Sequence, residues 1–173
     1  MSIAGDDLPV QVTHIPGITR VRYTNSTKQD VRLVTAGEDH LVRLLPSEPT
    51  ATDVIPLVME DATQNISWIE ANNKYLVTAS EDGAVRLYQH ALQSEDDPQK
   101  ATSCIRIVRR EVLPVRCVSL ERATESPRAA ICSDELIIRV ASVEDPRQIT
   151  LLTGHTRGVL YLIHISEPTR QEA

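Results

Sequence analysis

Two acid pairs, Glu38-Asp39 and Glu81-Asp82, stand in nearly the same surroundings: LVTAGEDHLVRLL over residues 33–45 and LVTASEDGAVRLY over residues 76–88. Adjacent carboxylates whose environments push their pKa values apart can divide general-acid and general-base duty, so proton-transfer chemistry is the first reading to test. Repetition argues against it. A third copy, AAICSDELIIRVA over residues 129–141, brings Glu135 into the column of Asp39 and Asp82, and Arg139 into that of Arg43 and Arg86. A catalytic centre is assembled from converging groups, whereas an acid that returns at every turn serves the turn. Asp39, Asp82 and Glu135 are therefore read as structural turn positions, and no residue is read as catalytic.

The remaining chemistry is sparse. There is no G-x-S-x-G, no phosphate-binding loop and no H-E-x-x-H, and the five histidines are scattered. Cys104, Cys117 and Cys132 are odd in number and form no CxxC pair, so neither a disulfide framework nor a zinc site is expected, and all three read as buried free thiols. No metal or cofactor is expected. A basic cluster remains: Arg106, Arg109, Arg110 and Arg116, joined by Arg20 and Arg22. Strand alternation in CIRIVRR puts Arg106, Val108 and Arg110 on one side and Ile105, Ile107 and Arg109 on the other, so the arginines make no clean stripe. Solvated edge charges are the first reading, and phosphate contact is the second. A net charge of −6 disfavours a surface that tracks nucleic acid throughout.

The elements that hold these residues follow from the repeat, whose steps are 43 and 53 residues. Each copy is a short apolar run, an acidic turn and a second run alternating with arginine, which predicts a hairpin; Gly83 suits the turn. Further strand-like runs precede the hairpins (ITRVRYT, ISWIEA, VRCVSLE) and follow them (DVIPLVM, CIRIVRR, QITLLTG). The second step is longer because HALQSEDDPQKATS, residues 90–103, is a polar insertion that reads as a surface loop. Four short antiparallel strands per period describe one blade of a WD-repeat β-propeller. The expected fold is thus all-β, a partial propeller over residues 10–159 with blades at about 18–60, 66–110 and 115–155, and with VQVTHIP (10–16) as a leading closure strand. Composition agrees: 41% of residues are apolar, with no Phe and one Trp, leaving branched aliphatics to build the core.

Repeats of this type place a Trp-Asp pair after the third strand, and their turn acid commonly bonds a His from the strand connection. Here the pair is replaced by Leu45-Pro46, Tyr88-Gln89 and Ala141-Ser142, and the Gly-His pair occurs once, at Gly154-His155. His155 is read as a structural repeat position, and the full network is not expected in every blade. A ring needs about four to eight blades, so three imply a fragment. Residues 1–9 read as an N-terminal tail. Residues 160–173 read as a non-native tail, because LIHISEPTR (162–170) resembles one reading frame of a sequencing adapter. With open edges, the 173-residue chain alone is expected to aggregate or stay partly unfolded. The first residues lack the pattern of a secretory signal and no window suits a membrane helix, which predicts a soluble intracellular chain without membrane contact.

Three phrases carry a more specific likeness: ISWIEANNKYLVTASEDGAVRLY, LPVRCVSLE and AAICSDELIIRVASVEDPRQITLLTGHTRGV. Over about residues 14–159 the chain resembles the amino-terminal propeller of the eukaryotic replisome scaffolds, the family of chromosome transmission fidelity factor four, acidic nucleoplasmic DNA-binding protein and minichromosome loss protein, its fungal members above all. The resemblance implies a nuclear, non-enzymatic hub that joins the replicative helicase to the primase-polymerase and supports sister-chromatid cohesion and repair, with chromatin or DNA contact. It also implies a homotrimer formed through a second propeller downstream, where the known partner-binding parts of the family lie; none of those residues maps onto this sequence. A WD-repeat adaptor in another pathway, such as substrate recognition for ubiquitin ligation, is the alternative.

Overall fold

The computed structural model describes residues 17–24, 32–46, 57–72, 74–89, 104–122, 126–145, 147–160 and Leu162. Among them are twelve strands and no helix: β1 (Ile18–Tyr23), β2 (Arg32–Gly37), β3 (Val42–Pro46), β4 (Leu57–Met59), β5 (Ile66–Ala71), β6 (Tyr75–Ser80), β7 (Ala84–Gln89), β8 (Arg106–Arg110), β9 (Val115–Leu120), β10 (Arg128–Ser133), β11 (Ile138–Ser142) and β12 (Ile149–Leu152). They form three antiparallel sheets of four strands, each a meander in chain order: β1 to β4, β5 to β8 and β9 to β12. The arrangement is consistent with a β-propeller-like fold.

Two seams join the sheets. Val34, Leu44 and Met59 of the first sheet meet Ile66, Ile69 and Leu76 of the second. On the other face of the second sheet, Val77, Val85 and Leu87 meet Val118, Leu120 and Ile131 of the third. Burial on both faces explains why β6 reads YLVTAS, without the alternation of a one-sided strand: every one of its residues is buried. Each enclosed Val, Ile or Leu contributes roughly 1.5–3 kcal/mol relative to exposure.

The leading strands β1, β5 and β9 pack side by side, and each enters its sheet through a β-bulge. Thr19, Ser67 and Arg116 are the extra residues, skipped in the register with β2, β6 and β10. A bulge turns the local side chain out of alternation. The Thr19 hydroxyl thereby donates to the Ile66 carbonyl at 2.7 Å, and the Ser67 hydroxyl to the Val115 carbonyl at 2.6 Å. Each hydroxyl bridges to the first or nearly first residue of the next sheet, so one feature repeats at both seams.

Among the described residues, nothing covers the leading face of the first sheet in this way. Val21 and Tyr23 hold the positions of Ile69 and Ala71 in β5 and of Val118 and Leu120 in β9. They are 44% and 60% exposed, whereas the latter four range from 0% to 9%.

The hairpin turns match the sequence reasoning in chemistry. Gly83 has φ 83°, and His40 takes the equivalent place in the first turn with φ 67°. Gly83 is further confined because a Cβ there would lie 2.3 Å from the Glu111 carbonyl oxygen; the Glu111 N–H donates to the Gly83 carbonyl at 2.7 Å.

Two expectations need correction. The strict alternation assumed for CIRIVRR is broken, because Val85 pairs with Arg109 and Arg86 with Ile107, leaving Val108 as a bulge. Arg106 and Arg109 therefore share a face, Ile107 and Arg110 share the other, and Val108 is buried while Arg106 and Arg110 are exposed. Of the three thiols, Cys117 and Cys132 are buried but Cys104 is only partly so. The closure strand at 10–16, the insertion at 90–103 and residues 53–56 of the predicted fourth strand lie outside the described residues, as does the tail apart from Leu160 and Leu162.

Candidate functional site

The three turn acids each pair with the arginine four residues on. Asp39 meets Arg43 at 2.7 Å, Asp82 meets Arg86 at 2.7 Å, and Glu135 pairs with Arg139. The middle pair is the most enclosed, with side chains 6% and 5% exposed. Arg86 binds Asp82 through both nitrogens, at 3.1 and 2.7 Å. Oδ1 also accepts the Ala84 N–H at 2.9 Å, and Oδ2 accepts the Thr63 N–H at 3.0 Å and its hydroxyl at 3.1 Å. Burial alone would raise the carboxyl pKa, but the Arg86 guanidinium and the two backbone N–H groups outweigh it and hold Asp82 well below the carboxylate range. A carboxylate with both oxygens engaged and no proton to exchange near neutrality is poorly suited to acid or base duty.

Thr63, on the connection into β5, bonds the turn acid from the place where repeats of this type commonly carry a histidine, and sequence reasoning missed it. The hydroxyl carried no signal beyond its place between a fourth strand and the next first strand. His155 is exposed and follows β12.

The six arginines of the basic cluster do not converge. Arg20 lies over the Trp68 ring at 4.1 Å and Arg22 at 5.6 Å. Trp68 donates its indole N–H to Glu70 at 3.1 Å, and Arg22 reaches Glu70 at 3.6 Å. These four residues on β1 and β5 form one cluster. Arg106 instead crosses to the third sheet, donating to the carbonyls of Val143 at 3.2 Å and of Glu144. Arg109 pairs with Glu111 at 2.9 Å, and the same carboxylate takes Arg139 at 3.3 Å, so that a Glu side chain only 3% exposed ties β8 to β11. Arg116 grips Asp134 at 2.6 and 2.7 Å and reaches Glu81 at 3.5 Å, linking the turns of the second and third sheets. Arg110 is exposed at the end of β8.

The arginines thus act mainly as ties between sheets. Glu111, Trp68 and Ser67 are the partners that sequence reasoning did not single out. Among the described residues no group of three or more His, Cys, Asp or Glu side chains could hold a metal ion, and no helix is long and apolar enough to cross a membrane. What this geometry offers is three sheets packed together at two seams, with ion pairs at their turns and between them.

No protein-family model matches the chain. Minichromosome loss protein 1 of Schizosaccharomyces pombe is 29% identical over 147 residues, which cover 85% of this chain and 16% of that protein. Peroxisome biogenesis protein 7 of Arabidopsis thaliana is 29% identical over 77 residues, covering 44% of this chain and 24% of that protein. The matched segments therefore cover less than a quarter of either protein, and the likeness to the first is a distant relation.

Proposed function

We propose that this chain is the propeller part of a non-enzymatic scaffold of DNA replication, in which WD-type wedges form a nuclear docking platform within a larger protein. The observation that carries the reading is the match to Minichromosome loss protein 1 across both seams and all three sheets, 85% of the chain. It is supported by the chemistry of the turns, where every repeated acid is committed to an arginine. In this reading the whole protein links the replicative helicase to the primase-polymerase and supports cohesion, while the wedges contribute surface. Direct DNA contact receives less support from the charges, since Arg109 and Arg116 are engaged by acids and Arg106 by carbonyls.

The test is co-purification of the full-length protein, with and without residues 17–159, alongside helicase and primase-polymerase subunits from nuclei. Recovery of those subunits with the intact protein supports the reading, and their absence from it, or an extranuclear location, overturns it. The second reading is a WD-type adaptor in another pathway such as ubiquitin-ligase substrate recognition; what keeps another pathway open is the match to Peroxisome biogenesis protein 7, whose name lies outside replication. A ligase-adaptor motif in the flanking gene sequence would select it over a second propeller and helical bundle.

A further inference from the structure

Cys117 on β9 and Cys132 on β10 are direct cross-strand partners. Cα atoms of directly opposed antiparallel residues lie about 4.5–5.5 Å apart whichever hydrogen-bonding pair they belong to, and a disulfide spans about 4.4–6.8 Å. Both side chains project from the same face of the third sheet. They are 0% and 1% exposed and lie with Ile138 in a small cluster on which Trp68 of the second sheet, Ala130, Val159 and Leu162 pack. Val159 and Leu162 belong to no strand. The third thiol, Cys104, packs with the separate core of the first seam. Cross-strand pairing, a common face and a cover that is strand-free on one side thus coincide at one place.

We propose that Cys117 and Cys132 form a peroxide-oxidisable dithiol, a modification site that closes to a cross-strand disulfide and reopens with thiol reductant. The Cys117 sulfur attacks one oxygen of hydrogen peroxide; an S–O bond forms, the O–O bond breaks, and the leaving hydroxide takes a proton to become water. The Cys132 sulfur then attacks the Cys117 sulfenic acid, forming the S–S bond and releasing a second water, which carries the Cys132 thiol proton. Two sulfurs together lose two electrons and the peroxide gains them. Cys117 is the attacking group because the Cys132 hydrogen bond, opposed by burial and helped by the Leu162 backbone and the Arg20 charge, lowers its pKa, while the same contact and burial raise that of Cys132. The proposal stands on the pairing of β9 with β10 and is independent of the scaffold reading.

The test treats the full-length protein that contains this chain with hydrogen peroxide, maps the disulfides by proteolysis without reduction, and counts free thiols at Cys104, Cys117 and Cys132 by alkylation. One link, Cys117 to Cys132, is expected, with alkylation of those two residues falling about tenfold, Cys104 left free, and full recovery with dithiothreitol. The Cys132→Ser variant should instead accumulate a Cys117 sulfenic acid that dimedone traps. The same treatment in urea should scramble the pairing. Links that include Cys104 in the folded chain, no dimedone adduct in the variant, or an identical pattern in urea would each overturn the proposal.

Discussion

Ile69 and Val21 occupy the same position of β5 and β1, yet one is fully buried and the other 44% exposed. Their strands share the same bulge, the same alternation and the same place in a four-stranded meander. The difference lies wholly in what stands beside them: β5 has a sheet on its leading side among the described residues, and β1 has none. The unit of stability is therefore the seam between sheets rather than the sheet itself, as expected where each module leaves a face that only a neighbour can cover.

The strongest way to break that comparison is Gly83→Ala. It imposes a side chain at φ 83° and drives a Cβ into the Glu111 carbonyl, which belongs to the connection between the second and third sheets. A loss of about 4 kcal/mol or more is expected in urea unfolding, with both seams affected. The direct comparison comes next. Ile69→Ala should cost about 2–4 kcal/mol and Val21→Ala less than about 0.5 kcal/mol in the same assay. Equal costs would mean that the leading face of β1 is covered in solution.

The pH dependence of the Asp82 pair is smaller. A folded pKa held below the unfolded value of 3.8 contributes stability at pH above that value, and the contribution fades as pH falls toward the depressed folded value. Asp82→Asn should therefore lower the urea midpoint at pH 6 by more than at pH 3, because the wild-type advantage is partly titrated away at the lower pH. The smallest effect is expected at Thr78, fully buried in β6, whose hydroxyl finds no partner among the described residues. Thr78→Val removes an unsatisfied polar group without breaking a bond, so its midpoint should stay equal or rise, by up to about 1 kcal/mol in stability.

How far the sequence could be read depended on whether the signal was local. ISWIEA was legible as a strand to the residue, because one-sided burial writes itself into the chain; the hairpin acids were legible because the turn chemistry is contained in four letters. β8 was not, since the bulge at Val108 arises from pairing with β7 and flips the arginines without altering their spacing. The candidate surface fared similarly. Arg20, Arg106 and Arg116 were singled out as charges, but their partners Trp68, the Val143 carbonyl and Asp134 come from other sheets or distant turns. Thr19 and Ser67, each second in its leading strand, were a readable pattern; Arg116 in that place at the third repeat hid it.

The stack of Arg20 on Trp68 has a practical outcome. The chain contains one tryptophan, and its ring lies where the three sheets come together: Arg20 of the first sits over it, and it packs against the cores that the third sheet supplies. Its ultraviolet emission is consequently an unlabelled gauge of docking among the sheets: separation of either neighbour from the second sheet would expose the indole to water and shift the spectrum to the red.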